Sequence, residues 1–383
     1  MSGGLPLARL FGIEIRVSYA WAFLLAVVTF IGSQQSAATS PGLGVPLHWL
    51  IGVLVALGFL ATVVAHELAH ALVGRRCGVP TAGITLGFIG GLAPLSIEAS
   101  RPRDEMAIAV VGPLVSLGVA LASLPVAMVV GAIGGPAGGV AGGVLVVGGL
   151  NLLIAALSLL PGMPLDGGRA VRAVAWAGSG SRDRAGAITA RVGRLLGWAT
   201  VGVGIALALV DMITGGLLVL CLGWLLTTGA KTLDKRLRLE QLLGGATVAD
   251  ATRSEVPRID PGLTVDTFAA RYEGDDGYTC LPVVEGDTPL GVIGARRLQR
   301  LGRRRFAATR AVDVMASPPM ARFLEPGEDL WTAVEMMDRL GLDGLAVVVD
   351  GILEGMVTRE SIGDLILRRT GGVETAGSPG TPG

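Results

Sequence analysis

The chain has 383 residues, 31 Lys plus Arg against 31 Asp plus Glu, 51% hydrophobic residues and a mean hydropathy of +0.63. These averages hide a split: residues 1–230 hold 12 Arg, no Lys and 8 acidic residues, and the other 42 of the 62 charges lie in the last 153 positions. That distribution excludes a uniformly soluble chain and gives a membrane domain followed by a soluble one, while a net charge of zero singles out no charged partner and nucleic acid is not expected as one.

Apolar runs long enough for a ~30 Å hydrocarbon core cover roughly 17–33, 49–74, 105–131, 140–160, 191–212 and 213–230, which predicts six transmembrane helices. The first run is not followed by a small-residue cleavage site and a soluble domain, so a secretory signal peptide is not expected. Arg75, Arg76, Arg101, Arg103, Arg169, Arg172, Arg182, Arg184 and the cluster from Lys231 to Arg238 fall on one side of this arrangement, whereas 34–48 and 132–139 carry no acid, Lys or Arg. The positive-inside rule then places both termini in the cytoplasm of a bacterial-type inner membrane. His48, beside Trp49 at the start of the second run, is expected at the outer interface.

Within the second run, residues 61–74 read ATVVAHELAHALVG. Two imidazoles and a carboxylate are costly at membrane depth unless they do chemistry. On a helix His66 and His70 lie one turn apart on one face, so both rings can reach a single Zn²⁺, and Glu67 projects beside the metal where a water would sit. The alternative, a chance match in which a His bonds to a neighbouring helix, has to account for two of the chain's three His falling in this one turn. At 1.5 Å per residue His66 lies about 13 Å inside the Arg75–Arg76 boundary, shallow enough for water from the cytoplasm.

The segment TAGITLGFIGGLAPLSIEAS that follows has β-branched residues and a Gly90–Gly91 pair but no run of spanning length. It reads as a β-hairpin or re-entrant segment beside the site, or else as a plain cytoplasmic loop. In the first case its strand edge can accept an unwound substrate segment. Beyond the fourth run, SLLPGMPLDGGR at 158–169 cannot continue a helix and places Asp166 at the same cytoplasmic side as the His pair. Taken alone, Pro-x-Asp-Gly is an ordinary turn. Its convergence with His66 and His70 favours a two-His, one-carboxylate zinc site with the fourth position open to water.

The two motifs together resemble the site-2 protease family of intramembrane zinc metalloproteases: His-Glu-x-x-His on the second helix, a Gly-rich hairpin, then Leu-Leu-Pro-x-x-Pro-x-Asp-Gly-Gly-Arg. The resemblance covers the whole of the membrane domain. It implies His66, His70 and Asp166 as zinc ligands and Glu67 as catalytic acid/base. It also implies hydrolysis of another protein's transmembrane helix, often that of a membrane-bound regulator such as an anti-sigma-type factor. One position departs from the pattern: many members carry Asn where this chain has Ser158, a residue thought to steady the substrate or its oxyanion. A hydroxyl still donates one hydrogen bond, and Asn151, two turns earlier on the same helix, is a candidate substitute.

In the soluble part VADA (248–251) recurs as VDVM (312–315), Pro261–Gly262 as Pro326–Gly327 and LGVIG (290–294) as EGMVT (354–358), all at a nearly constant offset. This repeat is similar to a tandem of cystathionine-β-synthase-type (CBS) domains, a pair that often binds adenosine nucleotides. Where that family's ribose-holding Thr/Ser-x-x-Asp would stand, the chain reads GARR (294–297) and TRES (358–361), keeping Thr358 and lacking the Asp. Nucleotide binding through Thr358 is therefore set against a role in homodimerisation or substrate docking. The three cysteines carry no Cys-x-x-Cys spacing, as expected for a protein facing a reducing cytoplasm.

The expected architecture is a polytopic α-helical membrane domain (1–230), a linker (231–246), CBS-type repeats of α+β character (247–306 and 307–370) and a disordered tail (371–383). The expected function is zinc-dependent intramembrane proteolysis of membrane-bound regulatory proteins. The alternatives are a catalytically silent membrane scaffold of the same fold and a CBS-regulated transporter.

Overall fold

The computed structural model describes residues 4–79, 83–87, 90–91, 99–210, 212–272, 280–295, 298, 301, 303–318 and 321–375. The chain divides into two compact units that meet between Leu237 and Arg238.

The first unit opens with a hairpin that the sequence reading passes over. β1 (Gly4–Leu10) and β2 (Ile13–Ser18) pair antiparallel around a turn in which Phe11 and Gly12 both adopt positive φ. β2 alternates as a half-buried strand should: Ile13 and Ile15 are buried, while Glu14 and Arg16 point outward and pair at 2.8 Å. β3 (Gly83–Gly87) joins β2 in parallel, and β4 (Gly90–Gly91) joins β3 antiparallel, giving the sheet order β1-β2-β3-β4. The strand alternative for this segment is therefore realised; residues 80–82, 88–89 and 92–98 lie outside the described residues.

Among the described residues six helices are long and apolar enough to cross a membrane. They are α1 (Ala20–Thr39), α2 (Val45–Arg76), α3 (Pro102–Ala132), α4 (Pro136–Ser158), α6 (Arg182–Leu209) and α7 (Ile213–Leu243). A shorter amphipathic helix, α5 (Asp166–Ser179), lies between the fourth and fifth. Pro stands in the first turn of α2, α3 and α4, where its missing N–H costs nothing. Leu54, Leu121, Leu124, Val129, Leu195 and Leu218 point outward, as side chains facing lipid do.

α2 is the central element, packed against α1, α3 and α4. Its C-terminal end is tied to the hairpin: Arg75 Nη1 donates to the Phe11 carbonyl at 2.7 Å. At the other end His48 is buried, with Nδ1 hydrogen-bonded to Ser36 Oγ at 3.0 Å. A buried imidazole needs a polar partner, and Ser36 supplies it.

The second unit carries the internal repeat in its hydrogen-bond register. Its helices are α8 (Val248–Ala251), α9 (Val265–Tyr272), α10 (Ala311–Val314), α11 (Leu330–Leu340) and α12 (Arg359–Thr375); its strands are β5 (Cys280–Glu285), β6 (Thr288–Gly294), β7 (Gly344–Val349) and β8 (Ile352–Thr358). Hairpin β5–β6 starts from Cys280↔Gly294 and shifts register between Val283 and Val284. Hairpin β7–β8 starts from Gly344↔Thr358 and shifts between Val347 and Val348, the same pattern in the second repeat.

Bridges between the halves are reciprocal. Val292 pairs with Ala316 as Met356 does with Arg253, and Thr264 with Arg310 as Thr247 does with Asp329. Such exchange is what two similar halves related by an approximate two-fold axis produce. α12 runs to Thr375, so the start of the expected disordered tail is helical. The rest of the tail lies outside the described residues.

Candidate functional site

α2 places His66 and His70 one turn apart, with Glu67 half-buried between them in sequence. Asp166 comes from the first turn of α5, after α4 has ended at Ser158 and the intervening loop has reversed the chain. The reversal needs close backbone approach: a Cβ on Gly167 would lie 2.3 Å from the Leu159 carbonyl oxygen, and one on Gly168 would lie 2.6 Å from the Gly162 carbonyl carbon. The Gly–Gly pair after Asp166 is thus what lets the Pro-rich loop fold onto the helix that carries the carboxylate.

Three donor atoms converge. His66 Nε2 and His70 Nε2 are 3.2 Å apart, and Asp166 Oδ2 lies 3.5 Å from the first and 3.3 Å from the second. Bonds of about 2.05 Å to a tetrahedral zinc ion require ligand atoms about 3.3 Å from one another, so the three groups fit the metal without rearrangement. No other such group of His, Cys, Asp and Glu occurs among the described residues.

The far nitrogens of both rings are also held, and by one helix. His70 Nδ1 donates to the Ile108 carbonyl oxygen at 2.6 Å, which leaves the Nε2 lone pair facing Asp166; His66 Nδ1 is hydrogen-bonded to Ser116 Oγ at 2.9 Å. Ser116 has no exposed surface and His66 is only 5% exposed. Between them on α3, Gly112 passes against the ring nitrogens: a Cβ there would sit 2.1 Å from His70 Nε2 and 2.7 Å from His66 Nε2. Ligating histidines are oriented by the partner of their second nitrogen. Sequence reasoning misses Ile108, Gly112 and Ser116, because a carbonyl, a Gly and a Ser are ordinary in an apolar span; the Gly112-Pro113 step and a Ser one turn later are the only traces.

Of the residues considered for substrate, Ser158 is half-buried at the end of α4, and its hydroxyl has no hydrogen-bond partner among the described residues. Asn151 is fully buried, and Nδ2 donates to Thr62 Oγ1 and to the Val147 carbonyl, each at 2.9 Å. One amide proton ties α4 to α2 and the other bonds back within α4, so Asn151 has none left for an oxyanion, and that expectation is corrected. Gly90 and Gly91 form β4 at the end of the sheet.

Thr358 in the second unit is buried and bonded locally. Its N–H donates to Ser361 Oγ at 3.0 Å, the Ser361 N–H donates to Thr358 Oγ1 at 3.1 Å, and Ser361 Oγ donates to the Thr358 carbonyl at 3.0 Å. The matching position in the first repeat includes residues 296–297, which lie outside the described residues.

The model for peptidase family M50 matches residues 54–200, and the CBS domain model matches residues 311–368. The chain is 32% identical to the putative zinc metalloprotease Rip3 of Mycobacterium tuberculosis over 96% of this chain and 93% of that protein. It is 29% identical to the putative zinc metalloprotease sll0528 of Synechocystis over 94% of this chain and 95% of that protein. The solved site-2 protease from Methanocaldococcus jannaschii is 22% identical, with a TM-score of 0.41, over 61% of this chain and 95% of that one. With a relative 32% identical along almost the whole of both chains, the chain belongs to the M50, or site-2 protease, family of multi-pass membrane zinc metalloproteases and carries a CBS domain behind the protease domain.

Proposed function

We propose that the protein is an intramembrane endopeptidase in which His66, His70 and Asp166 hold one zinc ion and Glu67 is the catalytic acid and base. The observation that carries this reading is the spacing of the three donor atoms, 3.2, 3.3 and 3.5 Å, on the helix that also bears Glu67 and the helix that follows the Pro-rich loop. When bound, the metal supplies Lewis acidity to a water molecule and to the scissile carbonyl. Glu67 would take the proton from the attacking water and later return it to the leaving nitrogen. Ser158, whose hydroxyl has no partner among the described residues, donates a hydrogen bond to the substrate backbone or its developing oxyanion.

The substrate is a transmembrane segment of another protein, a membrane-bound regulator by family analogy, unwound locally because a helical peptide bond is shielded. β4 offers the backbone groups of Gly90 and Gly91 on the side away from β3, and pairing with this edge would hold the segment extended. Both termini face the cytoplasm of a bacterial-type inner membrane, and the CBS pair dimerises the enzyme or positions the cytoplasmic part of the substrate. Membership of a metalloprotease family sets the transporter alternative aside.

The test combines metal analysis with membrane proteomics. Purified His66→Ala, His70→Ala and Asp166→Ala should each lose zinc, whereas Glu67→Gln should keep it and lose turnover. Full zinc occupancy in Asp166→Ala would remove Asp166 from the ligand set. In cells, a membrane-spanning protein should accumulate with Glu67→Gln; no such protein would leave a catalytically silent scaffold.

A further inference from the structure

α5 brings Asp166 to the site, and few of its residues are fully buried. Its 14 residues bury only Gly167, Gly168, Arg172 and Ala173. A helix of that length is marginal alone. It packs on α3 and α6 with Ala170, Val171, Ala175 and Trp176 half-buried, and charge adds a specific anchor to α3. Glu105, on the first turn of α3 and 1% exposed, accepts at Oε1 from Arg169 Nε at 3.0 Å and from Arg172 Nη2 at 2.8 Å. Arg172 is itself 6% exposed, and Glu105 Oε2 has no hydrogen-bond partner among the described residues. Charge-assisted bonds of this kind, shielded from water, fix geometry more tightly than exposed ion pairs.

The placement ties the two halves of the site together. Arg169 follows Asp166 by one helical turn and Arg172 by nearly two, so an anchor on these side chains sets both the axis and the rotation of the turn that carries the carboxylate. Glu105 lies on the same helix as Ile108, Gly112 and Ser116, which set the two imidazoles. α3 is thus a common template: one stretch orients the histidines, and a residue one turn before Ile108 registers the helix of the third ligand against them.

We propose that Glu105 is a positioning residue for the third zinc ligand, its ion pairs with Arg169 and Arg172 holding Asp166 Oδ2 within reach of both His Nε2 atoms. Glu105 touches neither metal nor substrate and acts only through α5. The inference rests on the reading of Asp166 as a ligand, and its test separates the two.

Zinc dissociation constants are measured by chelator competition on the full-length protein in detergent, for wild type, Glu105→Gln, Asp166→Ala and the double variant. Glu105→Gln is expected to weaken zinc binding by about 10- to 100-fold, the range for outer-shell partners of metal ligands. In the Asp166→Ala background the same change should alter the constant by less than about twofold, because the residue through which Glu105 acts is gone. Equal weakening in both backgrounds would mean a general structural role reaching the histidines and would overturn the proposal, as would an unchanged constant in Glu105→Gln. An Asp166→Ala variant with wild-type affinity would instead remove the ligand reading, and the proposal with it. Arg169→Gln, which leaves the buried Glu105–Arg172 pair in place, enters the same cycle should Glu105→Gln not fold; a weakening absent from the Asp166→Ala background is expected, and an unchanged constant refutes the proposal.

Discussion

Gly112→Ala tests whether α3 is the template of the metal site. The added methyl would lie 2.1 Å from His70 Nε2, 2.7 Å from His70 Cδ2 and 2.7 Å from His66 Nε2. Ordinary contact begins near 3.4 Å, so α3 or the His70 ring must yield by about 1.3 Å. Catalytic and metal-binding groups tolerate displacements of about 0.5 Å, and a misplacement near 1 Å can cost about 10²-fold in rate. That corresponds to about 2.7 kcal/mol of transition-state stabilisation. The helix itself gains: Ala is favoured over Gly by up to about 1 kcal/mol in a helix interior, which offsets part of the overpacking cost of about 1–3 kcal/mol. The expected outcome is a protein that still folds in detergent, retains little zinc and cleaves at least about 10²-fold more slowly than wild type. Zinc content, thermal unfolding and cleavage are read on the same preparation. Wild-type zinc and turnover in Gly112→Ala would refute the claim that this close approach shapes the site.

Three further outcomes are expected. Burial, followed by the nearby Asp343 charge, pushes the Cys280 thiol up to about 12; with Cys77 and Cys221 replaced by Ala, the folded protein should resist thiol reagents at pH 9, and modification as fast as in denaturant would contradict this. Because the folded value is raised, the stabilisation is complete below the ordinary thiol value of 9.0 and is lost as pH rises from there toward 12, a slope that Cys280→Ala should flatten. Each of the Thr358 and Ser361 hydroxyls accepts from the other residue's backbone N–H, and TRES lacks the Asp of the ribose-holding pattern, so calorimetry on the full chain should find ATP and AMP bound weakly or not at all, and a dissociation constant at or below ~10 μM would refute this. A reporter fused after Lys231 should read cytoplasmic and one inserted near Ser40 external; the reverse would overturn the orientation read from the Arg-bearing loops.

Sequence alone determined the features that arise from local spacing. Apolar run length gives six spans, since the bilayer fixes how many residues a crossing needs, although α6 starts well before its predicted run and α7 continues well past its predicted end. His66 and His70 face one way because four residues make about one helical turn, and the Pro- and Gly-rich stretch before Asp166 ends a helix wherever it occurs. The internal repeat of the soluble part was equally legible, and the structure repeats it down to the register shift in each hairpin. The N-terminal hairpin was legible too, in the alternation Ile13-Glu14-Ile15-Arg16, but was overshadowed by the span that follows.

Only the tertiary structure decided what depends on residues distant in the chain. Asn151 donates to Thr62 across 89 positions, His66 bonds Ser116 across 50, and Glu105 pairs with Arg169 and Arg172 across 64 and 67. Ser, Gly and Asn in an apolar helix announce nothing by themselves, because their roles come from the surface that packs against them. At membrane depth a polar group must find its partner within the protein, and which partner it finds is set by how the helices cross, a property no single helix encodes.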